Sequence, residues 1–312
     1  MSKSTHKAIR VYITERCNAN CPNCFNANNR MNKEMSLSDF TDLCKYLKKN
    51  GYDHLKIMGG EPTLHKEFPE VIRIAQEYFM TISIFTNGLL DSVKKIKLRE
   101  HDSIIYNFNF NKALTIEKMF FPIGGTRAFE IQVTPKTNEE TLVTRILELT
   151  KNVDVRISLT LDCTANIFYE KASVVPKLRY IEDKLLENNK SFSYDHKIPL
   201  CYLYKTGLHI SNNHKCTTKD AGLIGADLSF RFCNQHSKIL INLKNENEFL
   251  PWAIVDNYIK KTFYEIQSKA LEQYCINCVF YDSKCNGGCW IPKDSITKAD
   301  IINNTSFPVK KN

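Results

Sequence analysis

The stretch from Ala8 to Cys24, Ala-Ile-Arg-Val-Tyr-Ile-Thr-Glu-Arg-Cys-Asn-Ala-Asn-Cys-Pro-Asn-Cys, decides how the rest of the chain reads. Ile9, Val11 and Ile13 alternate with Arg10, Tyr12 and Thr14, which is the period of a β-strand. Directly after it stand Cys17, Cys21 and Cys24, a C-x3-C-x2-C triplet. Three thiolates in a tight loop suit three irons of a [4Fe–4S] cube, because soft sulfur ligands favour iron–sulfur clusters. The fourth iron is then left for a substrate or cofactor. Zinc is the alternative, but structural zinc sites are closed by four ligands and this loop holds no fourth.

Outward from the triplet, strand and helix signals alternate. Residues 36–50 read as a helix: Ser36 can cap it, and Phe40, Leu43, Cys44 and Leu47 recur at helical spacing before Gly51. Leu55 and Ile57 mark a second strand that ends at Met58-Gly59-Gly60-Glu61-Pro62. Gly59 and Gly60 permit close backbone approach to a ligand, and Glu61 can pair with an ammonium group. A second amphipathic helix covers about 67–79. Residues 81–85 are a third strand closed by Thr86-Asn87-Gly88.

Further strands run from Ile104 to Phe110, Phe129 to Thr134 and Val153 to Leu161. A capping box at Thr137-Asn-Glu-Glu140 opens a helix through Leu149. Six strands separated by helical segments imply βαβ units and a parallel sheet. The last three strands keep a polar face: Asn107 and Asn109; Glu130, Gln132 and Thr134; Arg156, Ser158 and Thr160. That favours strands curved around a solvated cavity, with edge-like strands of an open sheet as the other reading. After about residue 195 the alternation stops, one helix is expected at about 255–271, and the tail from about 296 reads as poorly ordered.

Composition narrows the classes. The 312 residues are 43% hydrophobic and 25% charged, ordinary for a globular protein. No run approaches the roughly 20 apolar residues of a membrane span, and no secretory signal is expected from the polar start. The formal charge of +9 is scattered, as in Lys94, Lys95 and Lys97, and reads as solvated surface rather than a nucleic-acid face. Twelve cysteines, mostly clustered in a long chain without a signal, fit metal ligation in a reducing cytoplasm rather than a disulfide scaffold.

The triplet, followed after one helix and one strand by Gly-Gly-Glu-Pro, resembles the radical S-adenosylmethionine (SAM) enzymes over roughly residues 8–195. The resemblance implies a partial (β/α)6 barrel of α/β class in which Cys17, Cys21 and Cys24 bind a [4Fe–4S] cluster. The open iron would chelate the amino and carboxylate groups of SAM beside Gly59, Gly60, Glu61 and Pro62. Reduction would cleave SAM to methionine and a 5′-deoxyadenosyl radical that abstracts a substrate hydrogen. Asn107, Asn109 and Arg156 are the candidates for ribose and carboxylate contacts. One departure concerns the adenine: the family usually has an aromatic before the third cysteine, whereas here Asn23 holds that place and Phe25 follows the motif.

Near the other end, Cys275-Ile-Asn-Cys278-x6-Cys285-Asn-Gly-Gly-Cys289 resembles the SPASM/twitch extension, one residue longer in its middle. That extension carries auxiliary [4Fe–4S] clusters. By analogy Cys216, Cys233 and Cys289, with Cys201, would hold one cluster, and Cys275, Cys278 and Cys285 a second. A rival grouping places Cys216, Cys233, Cys275 and Cys278 around a single cluster. No cysteine follows Cys289, which leaves either an open iron or one cluster only. A four-cysteine zinc knuckle at 275–289 is the plain alternative. Cys163, after the last strand, is either a buried thiol or a hydrogen-atom donor of the kind radical epimerases use. Cys44 reads as core, His65, His209 and His214 as surface or structural, and Trp252 and Trp290 as packing.

The expected organisation is therefore a radical SAM core over 1–195, a small irregular α+β cysteine-rich auxiliary-cluster domain over 196–295, and a flexible tail over 296–312. The expected reaction modifies a peptide by crosslinking or epimerisation. Oxidation or epimerisation of a small polyol or aminosugar is the alternative, and nucleotide or tRNA modification the second. With 16 residues ahead of Cys17, a leader-binding domain is not expected there. A low-potential flavodoxin- or ferredoxin-type electron donor is the implied partner, in the cytoplasm.

Overall fold

The computed structural model describes residues 7–21, 24, 26, 32–108, 119–151, 155–161, 171–194, 208, 222–232, 238–246 and 248–270. The protein is α/β, and its contacts fall into two compact units, each built from two stretches of chain.

The first unit comprises Met1–Ala128 and Thr218–Thr262. Its sheet contains β1 (Ala8–Thr14), β2 (His54–Gly59), β3 (Thr81–Thr86) and β4 (Lys97–Phe108), with β8 (Leu223–Ile224), β9 (Ser229–Arg231) and β10 (Ile239–Asn242) from the later stretch. The order is β10-β9-β8-β1-β2-β3-β4. Pairing is parallel from β8 through β1, β2 and β3 to β4, and antiparallel at β8–β9 and β9–β10. Parallel strands carry all their C-terminal ends to one edge, where ligands of such sheets bind. Both chemistry-bearing motifs of the first half lie at that edge.

Helices α1 (Leu37–Lys49) and α2 (Phe68–Tyr78) connect the first three strands. Ser36 caps α1 by accepting from the Asp39 N–H at 3.1 Å. The buried Phe40, Leu43, Cys44 and Leu47 form the apolar stripe of α1. The helix stops at Asn50 because Gly51 takes a φ of +79°, which glycine adopts without a Cβ penalty. Helix α2 buries Val71, Ile72 and Ala75 at the same spacing. Ile9, Val11 and Ile13, Leu55 and Ile57, and Ile82 and Ile84 are all fully buried. On the other face, Tyr12, Met58 and Leu223 make a separate apolar cluster with Phe85 against it.

Strand β4 begins seven residues earlier than the apolar pattern predicts. Its first half is the polar run Lys97–Ser103, held by a buried carboxylate. Asp102 is 0% exposed and accepts from the Ile82 N–H at 3.0 Å, from Gln76 at 2.8 Å, and from the backbone and guanidinium of Arg99. The same guanidinium donates to the Gln76 and Phe79 carbonyls at 2.8 and 3.0 Å, tying β4 to the end of α2. Trp252 opens α5 (Trp252–Ala270) and sits among Tyr46, Tyr52 and Phe230, with Lys7 over its ring. It packs, as expected. A short hairpin pairs β11 (Lys244–Asn245) with β12 (Glu248–Phe249).

The second unit comprises Phe129–Thr217 and Phe263–Asn312. Within it lie the end of β5 (Ile123–Val133), α3 (Glu139–Thr150), β6 (Arg156–Leu161), α4 (Lys171–Glu187) and β7 (Phe192–Tyr194), in the strand order β5-β6-β7. β6 and β7 pair in parallel. The cap of α3 is Asn138, not Thr137: Asn138 accepts from the Thr141 N–H, while Thr137 is engaged one turn earlier by the Thr134 N–H, both at 2.9 Å. Among the described residues no helix is long and apolar enough to cross a membrane.

Candidate active site

At the edge of the first unit, the end of β1 and the end of β2 are locked together by their backbones. The pairing slips between Tyr12 and Thr14, which brings Thr14 opposite Gly59. The Gly60 N–H then donates to the Thr14 carbonyl at 2.9 Å, and the Glu61 N–H to the Arg16 carbonyl at 2.7 Å. A Cβ at Gly59 would collide with the Thr14 carbonyl, and one at Gly60 with the carbonyls of Glu15 and Arg16. The close approach these glycines permit is therefore to the strand that launches the cysteines. The Gly-Gly pair clamps the base of the triplet loop.

The far side of that loop is pinned as well. The Glu15 N–H donates to the Lys33 carbonyl and the Met35 N–H to the Ile13 carbonyl, both at 2.9 Å. Arg16, immediately before Cys17, bonds the Leu64 carbonyl at 2.9 Å and pairs with Glu34. Lys33 reaches Asp227, in the turn between β8 and β9, at 2.8 Å. Burial raises the Asp227 carboxyl, but hydrogen bonds from Lys33 and Ser229 outweigh it and bring it down to about 2.

Inside these pins lie Cys17, Cys21 and Cys24, not in disulfides and partly exposed. The Ala19 N–H points at the Cys17 sulfur from 3.4 Å, and the Cys24 N–H donates to the Cys21 carbonyl at 3.3 Å. An amide aimed at a ligating sulfur tunes a cluster. Among the described residues no three ligating side chains converge on one ion position. A cube asks instead for sulfurs spread over different irons, and this set of three soft donors on one pinned loop fits it.

Glu61 is 1% exposed, and its carboxylate is the hub of the edge. One oxygen accepts from the Thr63 N–H at 3.1 Å and from the hydroxyls of Thr63 and Thr86 at 2.6 Å; the other accepts from the Asn87 N–H at 2.7 Å. Burial pushes this carboxyl above the ordinary carboxylate range, and those neutral donors pull it part of the way back. The carboxylate expected to face an ammonium thus first binds the end of β2 to the end of β3. Pro62 is buried and opens a 3-10 turn over Pro62–Leu64.

Among the other expected residues, Asn107 is exposed on β4 and Arg156 is exposed at the start of β6 in the second unit. Asn109, Cys163, Cys201, Cys216, Cys233, Cys275, Cys278, Cys285 and Cys289 lie outside the described residues. Cys44 is fully buried in the core, and burial raises its thiol far above the usual range. His65 is structural: it is 3% exposed, bonded to the Met35 carbonyl at 2.8 Å and accepting from the Glu67 N–H at 3.1 Å. Asn18, Thr63, Thr86 and Asn87 also belong to this edge, and no local pattern in the sequence marks them as functional. Thr86-Asn87-Gly88 read only as a turn, although an asparagine there has an amide to spare.

Residues 11–111 match the Radical SAM superfamily. The chain is 35% identical over 100 residues to the probable GTP 3′,8-cyclase of Methanococcus aeolicus, which covers 30% of this chain and 33% of that protein. It shares its fold with SuiB of Streptococcus suis bound to the precursor peptide SuiA, at 15% identity and a TM-score of 0.63 over 93% of this chain and 73% of that one. A likeness at 15% identity and a TM-score of 0.60 joins it to anSMEcpe with bound AdoMet and a Kp18Cys peptide, over 97% of this chain and 92% of that one. With the cysteine loop, the Gly-Gly-Glu-Pro clamp and the parallel edge that carries both lying inside the matched span, this chain carries a radical SAM domain.

Proposed function

We propose that this protein reductively cleaves SAM and modifies a peptide by hydrogen abstraction, the outcome being a crosslink or an epimerisation. The observation that carries the peptide reading is the extent of the fold likeness. It runs over 97% of this chain and 92% of anSMEcpe, whose structure holds AdoMet and a peptide, whereas the likeness to the cyclase covers 30% of this chain. A fold shared over nearly the whole of both chains supports a shared substrate class better than cyclase matches over a third to a half of this chain do. When bound, a [4Fe–4S] cluster and SAM supply a 5′-deoxyadenosyl radical.

In this reading Cys17, Cys21 and Cys24 hold the cluster, and Gly59, Gly60, Glu61 and Pro62 with Asn107, Asn109 and Arg156 line the SAM side. Cys201, Cys216, Cys233, Cys275, Cys278, Cys285 and Cys289 ligate one or two auxiliary clusters in a domain over 196–295, after a core over 1–195. Cys163 is the candidate hydrogen donor if the product is an epimer. A low-potential flavodoxin- or ferredoxin-type protein delivers the electron, in the cytoplasm.

A second reading, an anionic nucleotide as substrate, draws on one feature of the first unit. Arg231 is 4% exposed, and its Nε has no partner among the described residues. In register across the sheet, Arg231 stands opposite Leu223, Leu223 beside Arg10, and Arg10 beside Lys56. Leu223 clusters with Tyr12 and Met58, two residues on from Arg10 and Lys56, so all these side chains share one face. A buried guanidinium calls for an anion.

The test is anaerobic turnover with SAM and dithionite, offered candidate precursor peptides in one arm and GTP in the other. Substrate-dependent 5′-deoxyadenosine with a mass change in a peptide supports the first reading. The same signal with GTP alone overturns it in favour of the second. Replacing Cys17, Cys21 and Cys24 by Ala should abolish SAM cleavage, and retained 5′-deoxyadenosine would sink the cluster assignment.

A further inference from the structure

We propose that Asn87 is a positioning residue that couples the Gly-Gly-Glu-Pro loop to the cysteine loop through Asn18, so that cluster and SAM are held in one relative geometry. The inference rests on the cluster assignment above. The Asn87 Nδ2 donates to the Asn18 Oδ1 at 2.8 Å, and Asn18 lies between Cys17 and Cys21. On the other side, the Asn87 N–H holds the Glu61 carboxylate at 2.7 Å. One residue therefore touches both motifs.

The orientation of the Asn87 amide is dictated by its own turn. Its Oδ1 accepts from the Leu89 N–H at 3.0 Å, an Asx turn, which leaves only the Nδ2 to face outward. The turn is fixed from both flanks. Thr86 donates its hydroxyl to Glu61 at 2.6 Å while accepting from the Gly88 N–H at 3.0 Å. Gly88 has a φ of +73°, and a Cβ there would meet the Tyr106 ring. The donor is thus presented by rigid backbone, and its acceptor sits on the cysteine loop between Cys17 and Cys21.

An exposed amide–amide hydrogen bond adds little to stability, so its consequence is geometric. It adds a side-chain restraint, between the first two cysteines, to a loop whose sulfurs must meet a cluster within a few tenths of an ångström. Outer partners that orient ligands of this kind commonly change metal-site function by about tenfold or more when removed.

The test uses variants that spare the turn. Asn87→Ser keeps a short oxygen for the Leu89 N–H but cannot reach Asn18, Asn18→Ala removes the acceptor, and Asn18→Asp retains it. After anaerobic reconstitution each is measured for iron content, for the electron paramagnetic resonance (EPR) spectrum of the reduced cluster with and without SAM, and for SAM affinity. Thermal unfolding of the apo protein is the control for structure. The expected result is a SAM-dependent spectrum altered alike in N87S and N18A, with SAM affinity down about tenfold. The double variant should be no worse than either single one, because the two residues act as one unit. N18D should keep the wild-type spectrum, and apo melting should stay unchanged throughout. Wild-type spectra and affinity in N87S and N18A, or fully additive losses in the double variant, would overturn the proposal. Should the triple-cysteine variant keep the same EPR signal, the cluster assignment fails instead, and that outcome is separable from the first.

Discussion

Glu61 and Asp102 are both buried carboxylates of the first unit, and the company each keeps separates scaffold from site. Asp102, midway along β4, faces a guanidinium: Arg99 meets it at 2.8 Å, and Arg99, Gln76 and Ile82 together outweigh burial and hold its carboxyl below the usual range. Glu61, at the end of β2, is as deeply buried but receives only neutral donors, and its carboxyl is raised. Nature compensates the charge of Asp102 inside the fold. At Glu61 the compensation is incomplete, which is the state of a carboxylate whose cation arrives with a ligand. The difference is one of charge, since each accepts several hydrogen bonds.

The largest effect expected at either place comes from Gly60→Ala. The added methyl has no room against the Arg16 carbonyl, so the Gly-Gly clamp must open and shift the launch of Cys17. Misplacement by about 1 Å costs on the order of a hundredfold in rate, and we expect at least that loss of 5′-deoxyadenosine formation. Wild-type iron content with wild-type turnover would show that the clamp does not position the loop. Next comes Asp102→Ala, which strands a guanidinium among carbonyls and should destabilise the fold by about 3 kcal/mol in denaturant titration. Its reduced-cluster spectrum with SAM should match wild type. If that spectrum changes instead, the separation of scaffold from site is wrong.

How much of this was legible beforehand follows from what each residue has to satisfy. Helix α1 was readable to its cap, because Ser36, the apolar stripe and Gly51 act locally. The cysteine loop and Gly-Gly-Glu-Pro were readable as chemistry, and their placement at one sheet edge followed from the parallel order. The first half of β4 was not readable. Lys97, Arg99, Glu100, His101 and Asp102 are polar, and only the long-range bonds of Asp102 to Gln76 and Ile82 make a strand of them. The role of the glycines also escaped the sequence, since the Thr14 and Arg16 carbonyls that exclude a Cβ come from a strand some 45 residues earlier. Asn138 displaced Thr137 as a cap because Thr137 is claimed by Thr134. Local signals survive folding, and contested ones are settled by partners distant in the chain.

The two carboxylates should also answer acid in opposite directions. Asp102 is depressed in the fold, so its contribution is full above about pH 4, the unfolded carboxyl's value, and is lost as the pH falls through the folded one. Glu61 is raised, so the folded state takes up its proton first, and its ionisation costs stability as the pH climbs from about 4. Glu61→Gln should therefore steepen the net rise of melting temperature between acid and neutral pH, and Asp102→Asn should flatten it. Parallel pH profiles for both variants and wild type would erase the contrast.

The smallest effect belongs to the Lys33–Asp227 pair, which anchors the return of the cysteine loop to the β8–β9 turn. Asp227 titrates at about 2, so the pair is intact above about pH 4 and is lost between there and pH 2. Its lysine is 43% exposed, so water and salt screen most of what the contact would add to global stability. Asp227→Asn should accordingly leave the melting temperature nearly unchanged at neutral pH. The loop is where it should register: its anchor to the later stretch of sheet is weakened, so thiol alkylation of Cys17, Cys21 and Cys24 in the apo protein should quicken, by about twofold to fivefold for an opening penalty reduced by about 0.5–1 kcal/mol. High salt should produce the same acceleration in wild type and none in the variant. Equal alkylation rates at low salt would mean that the loop is held without the Lys33–Asp227 pair, by bonds such as those of Glu15 and Met35, and would make the edge around Glu61 stiffer than the contrast with Asp102 requires.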